Sequence, residues 1–237
     1  MAFTFITEAN VTAYTTGTIT TAAFNVSAGD LIVVAIGVIN AGVWAASLAD
    51  TAGNSYTLLT PIVNVVGSCT QTFAYCLSSS AQAGNQVTVT FNEAVSNCRK
   101  NALASVYTPD GGETVTYDVE ANAISGWEAS PWETGTCNTT GDDEVCVASV
   151  QTTAAVTFSN QEIPGGTAAT LLTSPSTTMA GWYRILAATA AGLYAEIDVD
   201  ASRRYVMQLV TFKSVVAGGL SIPRPLSRPL SGPFGGI

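Results

Sequence analysis

The chain has 237 residues, of which 47% are hydrophobic and 11% are charged, and its formal net charge is −9. Eight basic residues are too few for the clustered phosphate contacts of nucleic-acid binding, and they also argue against an anionic membrane surface. There is no histidine, which is the residue most used in acid–base catalysis and in transition-metal binding. We therefore expect a protein that is not an enzyme, holds no metal or other cofactor, and binds neither nucleic acid nor membrane.

The first part of the chain is rich in Thr, Val, Ile and aromatic residues, as β-strands are. Residues 2–7 and 11–25 have this composition. After a Gly-Asp turn, residues 31–39 form a continuous apolar run, which predicts a central strand covered on both faces. Residues 31–49 carry no charge, but their Gly, Asn and Ser residues and the lack of flanking basic residues argue against a membrane span.

Turn and strand signals then alternate along the chain. Asp50 and Asn54 bracket a turn for which we favour Asx hydrogen bonding over an ion site. Residues 87–91 alternate between apolar residues and threonine, which predicts a strand with one buried face. Strand-like segments continue at roughly ten-residue spacing to residue 212, and residues 122–144 interrupt them as a long loop.

These patterns predict an all-β fold, namely an antiparallel, jelly-roll-like β-sandwich of about twelve strands. We predict one β-sandwich domain over residues 1–216 and an extended Pro/Gly-rich C-terminal arm over residues 217–237. The arm contains the unit Arg-Pro-Leu-Ser twice, and prolines this dense favour an extended polyproline conformation. We expect the arm to bind a neighbouring subunit through Arg224, Pro225, Leu226, Arg228, Pro229, Leu230 and Phe234.

The 122–144 loop carries two kinds of candidate site. Cys137 and Cys146 flank a polar stretch, so a disulfide between them is the predicted pairing among the five cysteines. Trp127 and Trp132 suit a platform for a sugar, a cap on the sandwich or an interface anchor, and these alternatives remain open.

Two groups of carboxylates are candidate metal-binding or catalytic sites. The first consists of Asp142, Asp143 and Glu144, whose spacing does not match a calcium loop and which we interpret as a solvated acidic loop. The second consists of Glu196, Asp198 and Asp200, which alternate along one strand. We interpret them as an exposed acidic face that protects an edge strand, in preference to a pair of glycosidase carboxylates.

Five segments of the chain resemble a β-sandwich module that recurs in bacteriophage virion structural proteins and in bacterial surface proteins. They are residues 28–35, 50–57, 85–91, 104–107 and 206–213, and the resemblance covers roughly residues 15–213. It implies a jelly-roll-like structural protein of a phage particle, as a capsid decoration or a head- or tail-associated subunit. The implied partners are copies of the chain itself and other virion proteins, and the implied location is a virion assembled in the host cytoplasm.

Two other functions stay open beside this one. An extracellular or cell-surface carbohydrate-binding module would use Trp127 and Trp132 to hold a glycan. A subunit of an extracellular fibre would use its extended end to complete the sheet of a neighbour. The first residues carry no secretory signal, so if the chain ends up outside a cell, we expect it to leave by lysis or assembly rather than to have lost a leader, and the initiator Met favours this.

Overall fold

The structure is a computed structural model that describes residues 3–14, 17–66, 68–110, 113–164 and 169–215. Within these ranges it contains nineteen β-strands and no α-helix. The strands are β1 (Phe3–Ala13), β2 (Thr18–Thr20), β3 (Phe24–Val26), β4 (Leu31–Val38), β5 (Ala45–Asp50), β6 (Thr57–Leu58), β7 (Ile62–Asn64), β8 (Cys69–Leu77), β9 (Gln82–Asn85), β10 (Val87–Phe91), β11 (Lys100–Pro109), β12 (Thr114–Glu128), β13 (Trp132–Glu133), β14 (Glu144–Thr152), β15 (Phe158–Glu162), β16 (Thr170–Ser176), β17 (Met179–Leu186), β18 (Glu196–Val199) and β19 (Arg203–Val215). Among these residues, no helix is long and apolar enough to cross a membrane.

The strands separate into two halves, residues 3–110 and 113–215, each with one large and one small antiparallel sheet. In the first half the orders are β1-β11-β4-β8-β6, with β7 also pairing with β8, and β2-β10-β5; β3 and β9 form a further two-stranded sheet. In the second half they are β12-β19-β14-β17-β16 and β13-β18-β15. In both halves the first strand lies beside the last, and the second lies beside the last but one. The two halves therefore repeat one strand order.

The predicted all-β antiparallel class is confirmed, but a single jelly-roll-like sandwich of about twelve strands is not confirmed. The described part of residues 1–216 has nineteen strands, and its large and small sheets form two β-sandwich-like units. Alternation of apolar residues shows which face of a strand is buried, but it does not say which strands pair. Residues 217–237, the predicted arm, lie outside the described residues.

The four main sheets stack in four layers with three apolar cores between them. One core fills each half between its large and small sheets. A third core lies between the two large sheets and joins the halves; it includes Leu31, Val33, Phe73, Val147 and Phe212. The halves are therefore held together by a buried interface of the same kind as their own interiors.

Strand β4 occupies the centre of this arrangement, as its continuous apolar run predicts. Ile32, Val34 and Ile36 face the small sheet of the first half, while Leu31 and Val33 face the second half. Every residue of the strand is buried. Complete burial on both faces explains why the run does not alternate with polar residues.

Polar side chains also bridge the two large sheets. Asn101 in β11 donates to Oε1 of Gln151 in β14 at 2.8 Å, and Gln71 in β8 donates to the Ser149 carbonyl at 2.8 Å. These groups are fully buried, so losing one partner would leave the other unsatisfied at a cost of about 1–3 kcal/mol. The bonds favour one fixed position of the two large sheets relative to each other.

The segment 122–144 is not a loop throughout, contrary to the prediction. Its first residues belong to β12, which pairs with β19 as far as Glu128. The next strand, β13, pairs with β18, and Cys137 forms an isolated bridge with Leu193. Glycine, proline and polar residues hide these strands in the sequence, because pairing with neighbours rather than local propensity holds them in place.

Candidate functional site

Four exposed apolar side chains lie on neighbouring elements where the two halves meet, and we call them the junction patch. Val65 and Val66 are in the turn after β7, and Ile124 and Trp127 are on β12, which contacts β7. The side chains are 75%, 69%, 54% and 63% exposed in that order. Of these four, Val66 and Trp127 both contact Arg204, and exposed apolar residues that lie close together are typical of interaction surfaces.

Hydrogen bonds from one half to the other hold the junction patch in place. Asn64 Nδ2 donates to the carbonyls of Ser125 at 2.6 Å and Tyr205 at 3.1 Å, which fixes the end of β7 against the second half. Arg204 donates from Nη1 to the Val66 carbonyl at 2.6 Å. Its guanidinium carbon also lies 5.6 Å from the centre of the Trp127 ring. The patch is thus preformed, and a partner would not have to order it.

Trp132 does not join Trp127 in an exposed platform. It is fully buried in the core of the second half, and its ring stacks on Tyr205 with a centroid distance of 4.4 Å. Its Nε1 donates to the Glu128 carbonyl at 3.2 Å. Of the alternatives left open for the two tryptophans, a sugar platform and an interface anchor need an exposed ring, which Trp132 does not have, so Trp132 is a core residue.

The predicted disulfide between Cys137 and Cys146 is absent from the structure, in which all five cysteines are free thiols. Cys146 lies on β14, fully buried in the core of the second half, and Cys137 is half-buried against the same core. Burial raises the pKa of Cys137 to about 11 and that of Cys146 well above its usual value. Both thiols therefore stay protonated at neutral pH, whereas disulfide exchange requires the thiolate.

The three adjacent carboxylates of the 142–144 stretch point to different surroundings. Asp142 accepts a bond from the backbone N–H of Thr189 at 3.0 Å. Asp143 has a φ of 59°, so the backbone turns sharply there. Glu144 is fully buried at the start of β14. The described residues hold no group of three or more His, Cys, Asp or Glu side chains placed to bind a metal.

Glu144 and Asp118 form a partly buried charge network with Lys213. Burial raises the pKa of Glu144 to about 7, and the nearby Asp118 carboxylate adds to this effect, although the Gly141 N–H bond opposes it. Burial acts in the same direction on Asp118, but its ion pair with Lys213 at 2.8 Å and its bonds from Thr140 bring its pKa below the usual value. The network stabilises the C-terminal end of β19, and its bonded carboxylate and ammonium groups are typical of a structural ion pair.

A second group of carboxylates crosses the small sheet of the second half. Glu196 lies directly opposite Glu133 on β13 and opposite Glu162 on β15. Burial and these like charges raise the pKa of Glu196. Strand β18 is the central strand of its sheet, so the predicted role in protecting a sheet edge is wrong. Asp198 on the same strand accepts bonds from Ser130 and Asn160, both at 2.7 Å.

The Asp50 turn is a closed hydrogen-bond network, as the Asx interpretation predicts. Asp50 Oδ1 accepts from the Asn54 N–H at 2.8 Å. Its Oδ2 accepts from the side chains of Asn54, Tyr56 and Asn85 at 2.8–3.1 Å. These donors lower the pKa of Asp50 although burial acts against them. All the acceptor capacity is used within the fold.

Comparisons of the chain with protein-family models, with curated protein sequences and with solved structures returned no match. The arm residues that the sequence analysis selected lie outside the described residues. Of the junction patch, only Trp127 is predicted from the sequence; Val65, Val66, Ile124 and the neighbouring Arg204 are not. The two valines before a Gly-Ser pair were a usable signal, since β-branched apolar residues are unusual in an exposed turn.

Proposed function

We propose that this chain is a non-enzymatic structural subunit of a bacteriophage particle, as a capsid decoration or a head- or tail-associated subunit. It assembles in the host cytoplasm with copies of itself and with other virion proteins. The junction patch is the observation that carries this proposal. It is apolar, exposed and held rigid by bonds between the halves, which are the properties of a protein-binding surface.

The strand order is the second support. Without the short strands β3, β7 and β9, each half has eight strands. When these are numbered 1 to 8 along the chain, the large sheet of each half has the order 1-8-3-6-5 and the small sheet has the order 2-7-4. A jelly roll has this order except that its fifth strand lies beside the fourth. Jelly rolls are common in viral capsid proteins, where their compact shape suits close packing. On this interpretation the chain consists of two jelly-roll-like units in tandem.

We assign the C-terminal arm of a second copy as the occupant of the junction patch. The arm has apolar residues at every fourth position, Leu226, Leu230 and Phe234, which match an apolar surface. It carries Arg224 and Arg228 and no acid, whereas the rest of the chain holds all seventeen carboxylates. An extended segment over residues 217–237 would reach roughly 65 Å, enough to cross to a neighbouring subunit.

The carbohydrate-binding alternative loses its main support in this fold. A sugar platform needs exposed aromatic rings near one another, and Trp132 is buried. The surface around Trp127 then consists of Arg204, Val65 and Val66. This surface is more apolar than sugar-binding surfaces usually are.

The proposal is tested by removing residues 218–237 and, separately, by changing Val66 and Trp127 to Ser. Sedimentation velocity of the purified proteins, together with incorporation into particles, should show loss of self-association in both variants with unfolding midpoints close to that of the parent. Trp44→Ser is the matched control, because Trp44 is 38% exposed and lies outside the patch. Unchanged association and incorporation in both variants would overturn the proposal.

A further inference from the structure

A recess of about 220 Å³ opens between the two halves, and none of its lining residues belongs to the junction patch. Tyr14, Asn97 and Arg99 line it from the first half, and Thr153, Ala154 and Thr178 line it from the second. No Asp or Glu is among its lining residues, although the chain has seventeen carboxylates and eight basic residues. A cation in surroundings free of acids is unusual for so acidic a protein.

Arg99 is held in a fixed orientation within this recess. Its Nε donates to the Tyr14 hydroxyl at 2.6 Å, and its Nη1 donates to the Thr178 hydroxyl at 3.4 Å. The guanidinium carbon lies 5.3 Å from the centre of the Tyr14 ring. Arg99 is half-buried, and no carboxylate of the described residues lies within ion-pair distance of it.

Further donors in the recess are unused. In the described part of the chain, Nη2 of Arg99 and the side chains of Asn97 and Thr153 have no hydrogen-bond partner. These groups lie on both sides of the junction between the halves. The recess thus combines one uncompensated positive charge with an amide and a hydroxyl that are available to a ligand.

We propose that this recess binds the carboxylate group of a small organic acid, with the unused Nη2 of Arg99 as its main contact. A hydrogen bond from a charged guanidinium to a carboxylate is stronger than one between neutral groups. The volume is below the roughly 300–1,000 Å³ of pockets for drug-sized ligands, so the ligand has few heavy atoms. This binding is separate from assembly, because none of its residues belongs to the junction patch.

Acetate is the probe for this site, and acetamide is its neutral control of nearly equal shape. Both are titrated into the full chain at constant ionic strength, with the ¹H–¹⁵N signals of the Arg99 and Asn97 side chains as the measurement. We expect saturable shifts of these signals with acetate, at a Kd in the millimolar range, and none with acetamide. Absence of saturable shifts with acetate, or equal shifts with acetamide, would overturn the proposal.

Variants locate the binding. Arg99→Gln should weaken acetate binding at least tenfold, while Arg203→Gln, which removes the same charge outside the recess, should leave it unchanged. Unfolding midpoints establish that both variants are folded; if Arg99→Gln is not, Thr153→Val serves in its place and should weaken binding severalfold. Acetate binding that survives these substitutions, or that Arg203→Gln weakens equally, contradicts the assignment.

Discussion

Gly37 in β4 lies directly against the side chain of Gln151 in β14, across the interface of the two large sheets. A Cβ atom at position 37 would sit 2.1 Å from Oε1 of Gln151 and 2.9 Å from its Cδ. Gln151 cannot withdraw freely, because Oε1 accepts from Asn101 and Nε2 donates to the Thr152 carbonyl. A glycine is therefore required in the middle of this strand if the halves are to pack so closely.

Gly37→Ala should destabilise the protein by about 1–3 kcal/mol, because the added methyl group forces Gln151 out of its bonded position. The measurement is the free energy of unfolding in urea. Gly126→Ala on β12 is the control, since a Cβ atom there meets nothing within 4 Å. Equal effects of the two substitutions would show that the halves do not pack as described.

Trp132→Ala and Trp127→Ala should differ sharply in stability. Loss of the buried Trp132 ring, which stacks on Tyr205, should cost about 3–5 kcal/mol. Loss of the Trp127 ring should cost only about 1–2 kcal/mol, because 63% of its area stays exposed to water in the folded protein. Thermal or urea unfolding of the two variants decides this, and similar losses would contradict the burial of Trp132.

Glu144 should make stability depend on pH in a defined direction. Its pKa is about 7 in the folded protein and 4.5 in the unfolded reference, so the folded state holds the proton more tightly. This contribution is complete below about pH 4.5 and is lost as the pH rises to about 7, at a cost of about 1–3 kcal/mol.

Glu144→Gln isolates the contribution of this residue, because the amide keeps the shape and stays neutral. The stability of the variant relative to the parent should rise between pH 4.5 and pH 8, as measured by urea unfolding at each pH. Parallel curves for the two proteins over this range would refute the assignment of a raised pKa to Glu144.

The cysteines should all be alkylated when the protein is unfolded without a reducing agent. Mass spectrometry after iodoacetamide treatment should show five additions, and fewer would indicate a disulfide. In the folded protein Cys137 should react before Cys69 and Cys146, because it is the only one of these three that is partly exposed. The burial that raises the pKa of Cys69 to about 12 slows its reaction further.

Local patterns predicted much of the fold in this chain. The apolar run of residues 31–39 corresponds to β4, and the alternating segment of residues 87–91 corresponds to β10. The Asp50–Asn54 turn forms the predicted Asx bonds. In each case a short stretch carries its own signal, through periodicity or through turn chemistry.

Pairing between distant segments was not predictable in the same way. Strand β15 is mostly polar, and β13 has two residues, so neither carries a pattern of its own. Trp132 is buried and Trp127 is exposed because of the direction that the chain takes after β12. The spacing of apolar residues in this segment does not predict that direction. The junction patch is not predictable for the same reason, because Val66 and Trp127 are brought to Arg204 only by the contact of the two halves.

The most direct test of the assembly proposal locates the arm on a second copy. Copies with a photo-crosslinking amino acid at position 234 are mixed with ¹⁵N-labelled copies, and crosslinked peptides are identified by mass spectrometry. We predict crosslinks from position 234 to ¹⁵N-labelled peptides that contain residues 65–66 or 124–127. Crosslinks confined to the same chain, or to labelled peptides elsewhere on the surface, would contradict the arm-to-patch assembly.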